Sequence, residues 1–269
     1  MTALVSQIRP DIQWAPIRGT NIAYIDTGGP GPAVVFTHGF AMDHAMFDPQ
    51  VADLGSDFRV IAWDQRGWGG TRATGPFTLW DSARDLLGLL EHLEVQRAVL
   101  CGMSQGGFVA MRTALLAPQE MRGLMLLGTQ AGLEDRSGPD EIISTWMQCG
   151  PGPVQDRLAS ALLGPGDWSA WFAKWEKMDR QQLDWAYRCL MERDDLTGRL
   201  PEIHCPVLVL HGTHDNAVPL ERAEVLRSRL GGRTSFVAIE GGRHASNITH
   251  AVVVNAAMRS FLASTQDSS

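Results

Sequence analysis

The stretch AVLCGMSQGGFVAMRTALLA, residues 98–117, decides the fold because it joins an apolar run to a helix-forming run through a GxSxG sequence. Glycines on either side of a serine relieve crowding where a strand turns sharply into a helix, and the serine hydroxyl is left exposed at the carboxyl edge of a sheet. The positive end of the following helix favours negative charge at the same point. This context predicts Ser104 as a nucleophile.

Short apolar runs alternate with helix-periodic stretches along most of the chain. The six strand candidates are residues 33–36, 59–63, 98–101, 123–127, 206–210 and 235–239. Among the helical stretches, residues 78–93 carry apolar side chains on one face, and Thr78 and Asp81 have the spacing of a capping box. The alternation predicts an α/β fold, with a mostly parallel central sheet and helices on both faces.

The alternation stops between residues 134 and 200, where helical pieces are separated by breaks rich in Gly and Pro. We therefore expect a small helical cap, residues 134–200, inserted into a core domain of residues 1–133 and 201–269. Five of the nine tryptophans lie in this segment: Trp146, Trp168, Trp171, Trp175 and Trp185. Packing within the cap explains the helical spacing of the middle three, and the functional alternative is an apolar roof over a substrate.

A serine nucleophile needs a base and a group that holds the base in the right tautomer. Asp215 and His244 each follow a predicted strand. Taken separately, Asp215 has the alternative of capping the helix near Pro219, and a lone loop histidine is commonly incidental. Their order after Ser104 is the one expected for this architecture, so the sequence predicts a triad of Ser104, Asp215 and His244.

A metal site is the competing interpretation of one of these segments, because His211, His214 and Asp215 form an HxxHD pattern. No further ligand recurs at a metal spacing, and His211 belongs to the end of a predicted strand. The four cysteines show neither CxxC nor zinc spacing, which favours reduced thiols. The sequence thus predicts neither a metal ion nor another cofactor.

Acyl chemistry also requires hydrogen-bond donors for an oxyanion. The backbone N–H of Gln105, directly after the nucleophile, is one candidate, and the N–H of Phe40 in the early loop HGF is the second. His38 and Met103 join the five tryptophans as expected pocket residues. For His38, bracing of its own loop is the alternative.

Together the motifs resemble the α/β-hydrolase superfamily over residues 21–263. They are HGF at 38–40, DQRGWGGT at 64–71, GMSQGG around Ser104, HGTHD ending at Asp215 and GGRH ending at His244. A serine nucleophile argues against dehalogenases and epoxide hydrolases, whose members use aspartate. In this family the loop at 64–71 shapes the edge of the site, and here Trp68 and Thr71 depart from its usual residues.

Residues 47–71 and the short cap are similar to enol-lactonases and small bacterial carboxylesterases. The resemblance implies hydrolysis of a small carboxylic ester or lactone through an acyl-enzyme. Carbon–carbon bond hydrolases of diketones and perhydrolases use the same triad, and the fold also serves ligand receptors with little turnover. These alternatives stay open at the level of sequence.

The polarity of the substrate depends on which side chains reach the pocket. A dicarboxylate would need a cation, whereas the tryptophans favour an apolar or aromatic substrate, which we expect. The arginines available for such a contact are Arg112, Arg136, Arg157, Arg188 and Arg243.

Charge and hydropathy narrow the possible partners. The formal net charge is −7 and the isoelectric point about 5.6, which does not favour nucleic acid as a partner. Arg9, Pro10 and Asp11 stand where a signal peptide needs an apolar core, and no later segment has the length of a membrane span. We expect a cytoplasmic monomer or homodimer that acts on a small molecule.

Overall fold

The computed structural model describes residues 10–133 and 139–266, and within them eight strands form one sheet. The strands are β1 (Gln13–Ile17), β2 (Thr20–Asp26), β3 (Ala33–Thr37), β4 (Arg59–Trp63), β5 (Ala98–Met103), β6 (Met121–Leu127), β7 (Val207–Gly212) and β8 (Thr234–Ile239). Their order across the sheet is β1-β2-β4-β3-β5-β6-β7-β8. β2 pairs antiparallel with β1 and β4, and every other pairing is parallel.

Ten α-helices accompany these strands in the described ranges. They are α1 (Asp48–Leu54), α2 (Leu79–His92), α3 (Gln105–Leu116), α4 (Pro139–Cys149), α5 (Gln155–Leu162), α6 (Ser169–Glu176), α7 (Arg180–Met191), α8 (Leu220–Arg229), α9 (Ser246–Thr249) and α10 (Ala251–Gln266). α2 packs with α3, and α1 packs with α10. Within the described ranges, no helix combines the length and the apolarity needed to cross a bilayer.

The predicted α/β class is confirmed, and each of the six predicted strands corresponds to one of β3 to β8. β3, β5 and β7 are buried along their whole length, as expected of parallel strands with both faces covered. The predicted capping box is also present, because the Thr78 hydroxyl accepts from the Asp81 N–H and the Asp81 carboxylate accepts from the Thr78 N–H.

The antiparallel pair β1 and β2 was not predicted from the sequence. β1 contains Pro16, a residue that lowers strand propensity because it lacks an N–H. The structure tolerates it because β1 lies at the edge of the sheet, where one side of the strand has no ladder to complete.

Helices α4 to α7 lie between β6 and β7 in the chain, and we call them the inserted helices. Aromatic side chains pack them together: the ring of Trp175 lies 6.0 Å from that of Trp146 and 5.6 Å from that of Phe172. Gln182 fastens them to the rest of the molecule, because its amide accepts from the Ala73 N–H at 2.6 Å and donates to the Ala73 carbonyl at 3.1 Å.

Candidate active site

Ser104 occupies the turn between β5 and α3 with φ 52° and ψ −116°, a conformation that costs free energy for any residue with a side chain. Its N–H donates to the carbonyl of Leu127 at 2.8 Å. Its own carbonyl accepts from the Gly107 N–H at 2.9 Å and from the Thr129 hydroxyl at 2.8 Å. These three hydrogen bonds hold the strained residue in place.

Close backbone contacts explain the glycines of the GxSxG sequence. A Cβ atom at Gly102 would lie 2.3 Å from the carbonyl oxygen of Gly106. A Cβ atom at Gly106 would lie 1.9 Å from the carbonyl oxygen of Thr37, so no larger residue lets α3 begin this close to the end of β3.

Asp215 and His244 meet beyond the ends of β7 and β8. The Nδ1 atom of His244 lies 2.8 Å from Oδ2 of Asp215. The other oxygen, Oδ1, accepts from the N–H groups of Ala217 and Val218, both at 2.9 Å. One oxygen thus orders the aspartate's own loop while the second faces the histidine, which leaves Nε2 of His244 for a further partner.

The electrostatic environment keeps Asp215 ionised. Burial acts to raise the pKa of this carboxyl, but the attraction and hydrogen bond of His244, with smaller contributions from the Val218 N–H and His211, hold the pKa below its usual value. The Nε2 atom of His211 donates to the Val218 carbonyl at 2.8 Å and lies 3.5 Å from Asp215 Oδ2. His211 is therefore a buried support of this loop.

The HxxHD pattern does not assemble a metal site. In the described part of the chain, the one group of side chains with metal-ligand spacing is Asp43, His44 and Asp64, not the set containing His211. Lys174 Nζ lies 2.6 Å from Asp43, and His44 Nδ1 lies 2.8 Å from Asp64. Both carboxylates therefore already have partners within the protein.

Ser104 and His244 line the same small cavity. Its other walls are Gly39, Phe40, Met42, Met46, Met103, Leu162 and Ala245. The volume of about 10 Å³ holds roughly one water molecule. The lining is apolar apart from the Ser104 hydroxyl and the His244 imidazole, and Ser104 itself is partly exposed. Met103 was anticipated from the sequence, whereas Met42, Met46, Leu162 and Ala245 were missed.

Phe40, one of the two anticipated oxyanion donors, lines this cavity, and Gln105, the other, directly follows Ser104 in the chain. Among the residues that the structure describes, neither the Phe40 N–H nor the Gln105 N–H has a hydrogen-bond acceptor. The loop carrying Phe40 runs against the nucleophile, since a Cβ atom at Gly39 would lie 2.9 Å from Met103 Sδ and 3.4 Å from Ser104 Cβ. Two free donors beside Ser104 are what an oxyanion requires.

His38 supports this loop from behind. It is fully buried, its Nδ1 lies 2.8 Å from the Gly39 carbonyl, and its Nε2 accepts from the Gln65 N–H at 3.0 Å. Burial lowers the pKa of His38, which keeps the ring neutral. With both ring nitrogens occupied and the ring outside the cavity lining, the structure favours the bracing interpretation over a pocket role.

The tryptophans of the inserted helices lie outside the cavity of Ser104, and two of them line a neighbouring one. Of the described residues that line the Ser104 cavity, none is Trp146, Trp168, Trp171, Trp175 or Trp185, and Leu162 is the contribution of the inserted helices. Trp171 and Trp175 line a neighbouring groove of about 900 Å³, which shares Met42 with the Ser104 cavity, and Trp146 packs against Trp175.

The candidate cations also lie elsewhere. Arg112 is buried and binds Asp194 at 2.5 Å, and the arginines at 157 and 188 pair with acidic neighbours on exposed surface. Arg243 packs its stem against Gly164. Among the described residues that line the Ser104 cavity, none is one of these four arginines. Arg136 lies outside the described residues.

Comparison with known proteins identifies the family of the chain. Residues 32–155 match the family model described as alpha/beta hydrolase fold, and residues 180–267 match a model described as TAP-like protein. A Mycobacterium tuberculosis protein that bears the name non-heme bromoperoxidase BpoC is 30% identical over 267 residues, which cover 91% of this chain and 98% of that protein.

Two solved structures are similar over nearly their whole length. A thermophilic esterase from Thermogutta terrifontis has a TM-score of 0.82 and 27% identity, covering 95% of this chain and 99% of its own. The enol-lactonase from Burkholderia xenovorans has a TM-score of 0.84 and 26% identity, covering 93% and 100%. Fold, sequence likeness and site motifs agree, and the chain belongs to the α/β-hydrolase superfamily.

Proposed function

We propose that this chain hydrolyses carboxylic esters or lactones with a small to medium apolar or aromatic acyl group, through an acyl-enzyme on Ser104. The observation that carries the proposal is the cavity shared by Ser104 and His244, with Asp215 2.8 Å behind the imidazole. Acyl transfer needs a hydroxyl, a base beside it and a carboxylate that orients the base.

In the first step, Ser104 Oγ forms a bond to the substrate carbonyl carbon while His244 Nε2 accepts the hydroxyl proton. Asp215 keeps the proton of Nδ1 in place and stabilises the imidazolium that results. Collapse of the tetrahedral intermediate breaks the bond to the leaving alkoxide oxygen, which takes the proton from His244. Water then attacks the acyl-enzyme with His244 as the base, and the acid leaves.

The free N–H groups of Phe40 and Gln105 would stabilise the oxyanion in both steps. A donor of this kind is worth roughly 10² to 10³ in rate. Because neither group has a partner among the described residues, no protein hydrogen bond must break before they act.

The cavity lining favours an apolar acyl group. Three methionines and Leu162 face Ser104, and thioether side chains adapt readily to different shapes. No described arginine stands in the lining to bind a second carboxylate. Since the space beside Ser104 holds about one water, we expect the inserted helices to move as a cap, or the methionines to change rotamer, when substrate enters.

The test is a series of initial hydrolysis rates with p-nitrophenyl esters of increasing chain length and with aliphatic and aromatic lactones. Wild type, Ser104→Ala and the exposed control Ser56→Ala are compared. The proposal expects turnover of apolar esters that Ser104→Ala abolishes and Ser56→Ala preserves. Folded wild type that hydrolyses none of them, or an equally active Ser104→Ala, would refute it and direct attention to diketones and to ligand binding.

Perhydrolysis is a second candidate, favoured by the likeness to the protein named a bromoperoxidase. In that reaction hydrogen peroxide replaces water: its oxygen bonds to the acyl carbon, the bond to Ser104 Oγ breaks, and a peracid leaves. Peracid formation, followed by iodide oxidation with ester and peroxide present, separates this outcome from hydrolysis alone. A Ser104→Ala enzyme is expected to lose both activities together.

A further inference from the structure

An inserted helix reaches the loop that carries the oxyanion donor Phe40. Trp175 of α6 donates from Nε1 to the backbone carbonyl of Ala41, the residue after Phe40, at 2.6 Å. Trp175 is only 3% exposed, so water does not compete freely for this bond. The contact therefore links the inserted helices to the backbone of the site.

The carbonyl that Trp175 binds belongs to a residue in an unfavourable conformation. Ala41 has φ 60°, in the left-handed region that favours glycine. Among the described residues, only three other non-glycine positions have a positive φ, and one of them is Ser104. Strained backbone persists where surrounding contacts determine it, and here the Trp175 bond is one such contact.

A second tie lies two residues further along the same loop. Lys174 Nζ lies 2.7 Å and 2.6 Å from the two carboxylate oxygens of Asp43. Asp43 Oδ1 also accepts from the Ala45 N–H at 2.9 Å, which orders the turn. The Lys174 side chain is 42% exposed, so its ion pair contributes less than the buried indole bond.

The indole of Trp175 is itself held rigidly. Its ring packs against Trp146 at 6.0 Å and Phe172 at 5.6 Å, both from the inserted helices. Trp175 is therefore fixed to the inserted helices by its apolar face and to the oxyanion loop by its N–H.

We propose that Trp175 is a positioning residue whose indole N–H fixes the Ala41 carbonyl, so that closure of the inserted helices aligns the Phe40 N–H for the oxyanion. This inference rests on the proposed function. It assigns Trp175 a role in the chemical step without any contact with the substrate. The hole is complete only when the inserted helices are closed, which couples substrate enclosure to catalysis.

The consequence appears in kcat rather than in KM. An oxyanion donor acts on charge that develops in the transition state, so misplacing it slows the chemical step and leaves ground-state binding nearly unchanged. Removing the indole N–H of Trp175 displaces the Phe40 N–H but does not delete it. The loss in kcat is therefore smaller than the loss expected when an oxyanion donor is removed.

Trp175→Phe is the test, and the chain offers a matched control in Trp168→Phe. Trp168 also donates from Nε1 to a backbone carbonyl, that of Gly164 at 2.8 Å, and does so within the inserted segment. We expect Trp175→Phe to lower kcat for a p-nitrophenyl ester about tenfold, a fraction of a full donor's effect, with KM within about twofold. Trp168→Phe should keep kcat within about twofold of wild type.

A trifluoromethyl ketone provides a readout that a purely structural role would not change. It forms a tetrahedral oxyanion adduct with a serine nucleophile, so its affinity should fall with kcat in Trp175→Phe and not in Trp168→Phe. If Trp175→Phe retains the kcat and inhibitor affinity of Trp168→Phe, or if the loss lies in KM alone, the inference is wrong.

The outcome is separable from that of the proposed function. An equally active Ser104→Ala enzyme would refute the proposed function whatever Trp175→Phe does, whereas a Ser104-dependent esterase unaffected by Trp175→Phe would refute only this inference. If circular dichroism shows that Trp175→Phe does not fold, Lys174→Met tests the weaker tie. Its kcat should fall about threefold, and an unchanged kcat there would contradict the inference.

Discussion

The carboxyl edge of the sheet and the inserted helices both contribute to one site, but they do so through different kinds of contact. The sheet edge carries the side chains that we propose to react, which follow β5, β7 and β8. The inserted helices supply the side chain of Leu162 as a wall and an indole N–H that holds a backbone carbonyl. The proposed reactive groups thus come from the end of the sheet, whereas the inserted helices contribute one wall and hydrogen bonds to the neighbouring loops.

The histidine loop shows the same division. Ala245, next to His244, donates its N–H to the carbonyl of Leu162 at 2.8 Å. Together with the Trp175 contact, the inserted helices therefore hold backbone on two sides of Ser104. We therefore expect substitutions at the sheet edge to change the rate of the chemical step. Substitutions in the inserted helices should change the alignment of the oxyanion donors and the selectivity for the acyl group.

The largest expected effect is at His244. Replacement by alanine should lower kcat about 10⁶-fold, because the base is lost while the fold is kept. His211→Gln is the comparison, since His211 also lies near Asp215 but stands outside the cavity lining. Ester hydrolysis under substrate saturation should show a loss under about tenfold for His211→Gln. Equal losses at both positions would contradict the assignment of the base.

A smaller effect is expected at Asp215. Asp215→Asn should lower kcat about 10⁴-fold with little change in KM, because the amide no longer fixes the tautomer of His244. In the double variant with His244→Ala, the loss should equal that of His244→Ala alone, since the two residues act as a unit. Additive losses would mean that Asp215 acts independently of the histidine.

The wall contributed by the inserted helices should affect selectivity. Leu162→Ala enlarges the cavity beside Ser104 and should raise the preference for a longer acyl chain by about tenfold in kcat/KM. Leu190→Ala is the matched control, because Leu190 belongs to α7 and does not line the cavity. A chain-length profile that changes equally in both variants would show that Leu162 is not a wall of the substrate site.

The smallest effect concerns the brace His38 and appears in stability against pH. Burial lowers the folded-state pKa of His38, so below the unfolded-state value of about 6.5 only the unfolded chain binds this proton. Its stabilising contribution is complete above pH 6.5 and falls by up to about 1.4 kcal/mol per pH unit below it. Asp215, whose pKa is lowered, adds its own loss only below about pH 4.

Urea unfolding between pH 7 and pH 4.5 measures this slope. His38→Gln should lower stability at pH 7 and flatten the slope, whereas the same substitution at the exposed His92 serves as the control. A slope that persists in His38→Gln would show that another group causes it.

Much of the sheet edge was predictable because its signals are local. The GxSxG elbow and the strands before Asp215 and His244 each depend on a few neighbouring positions, and the order of the three residues then follows from the chain itself. The contacts of Trp175 and Leu162 with the core depend on how separate helices dock, and periodicity alone does not specify docking. The sequence leaves two roles open for His38, and its two ring hydrogen bonds favour the brace.

Two features that the sequence did not predict, strand β1 and the methionine walls of the cavity, have separate physical reasons. β1 was overlooked because Pro16 lowers strand propensity, which an edge position tolerates. Met42 and Met46 were not anticipated as cavity walls, although their spacing of four just after the HGF loop was a usable signal. A methionine is not part of a recognisable catalytic motif, so only the structure shows that these two side chains line the cavity.

Intact-protein mass spectrometry under rapid acid quench tests the central claim most directly. With a p-nitrophenyl ester in excess, wild type should gain the mass of one acyl group, and peptide mapping should locate it on Ser104. Ser104→Ala should gain no acyl mass under the same conditions. Turnover by wild type with no acyl adduct under any quench time, or an adduct on another residue, would contradict the account.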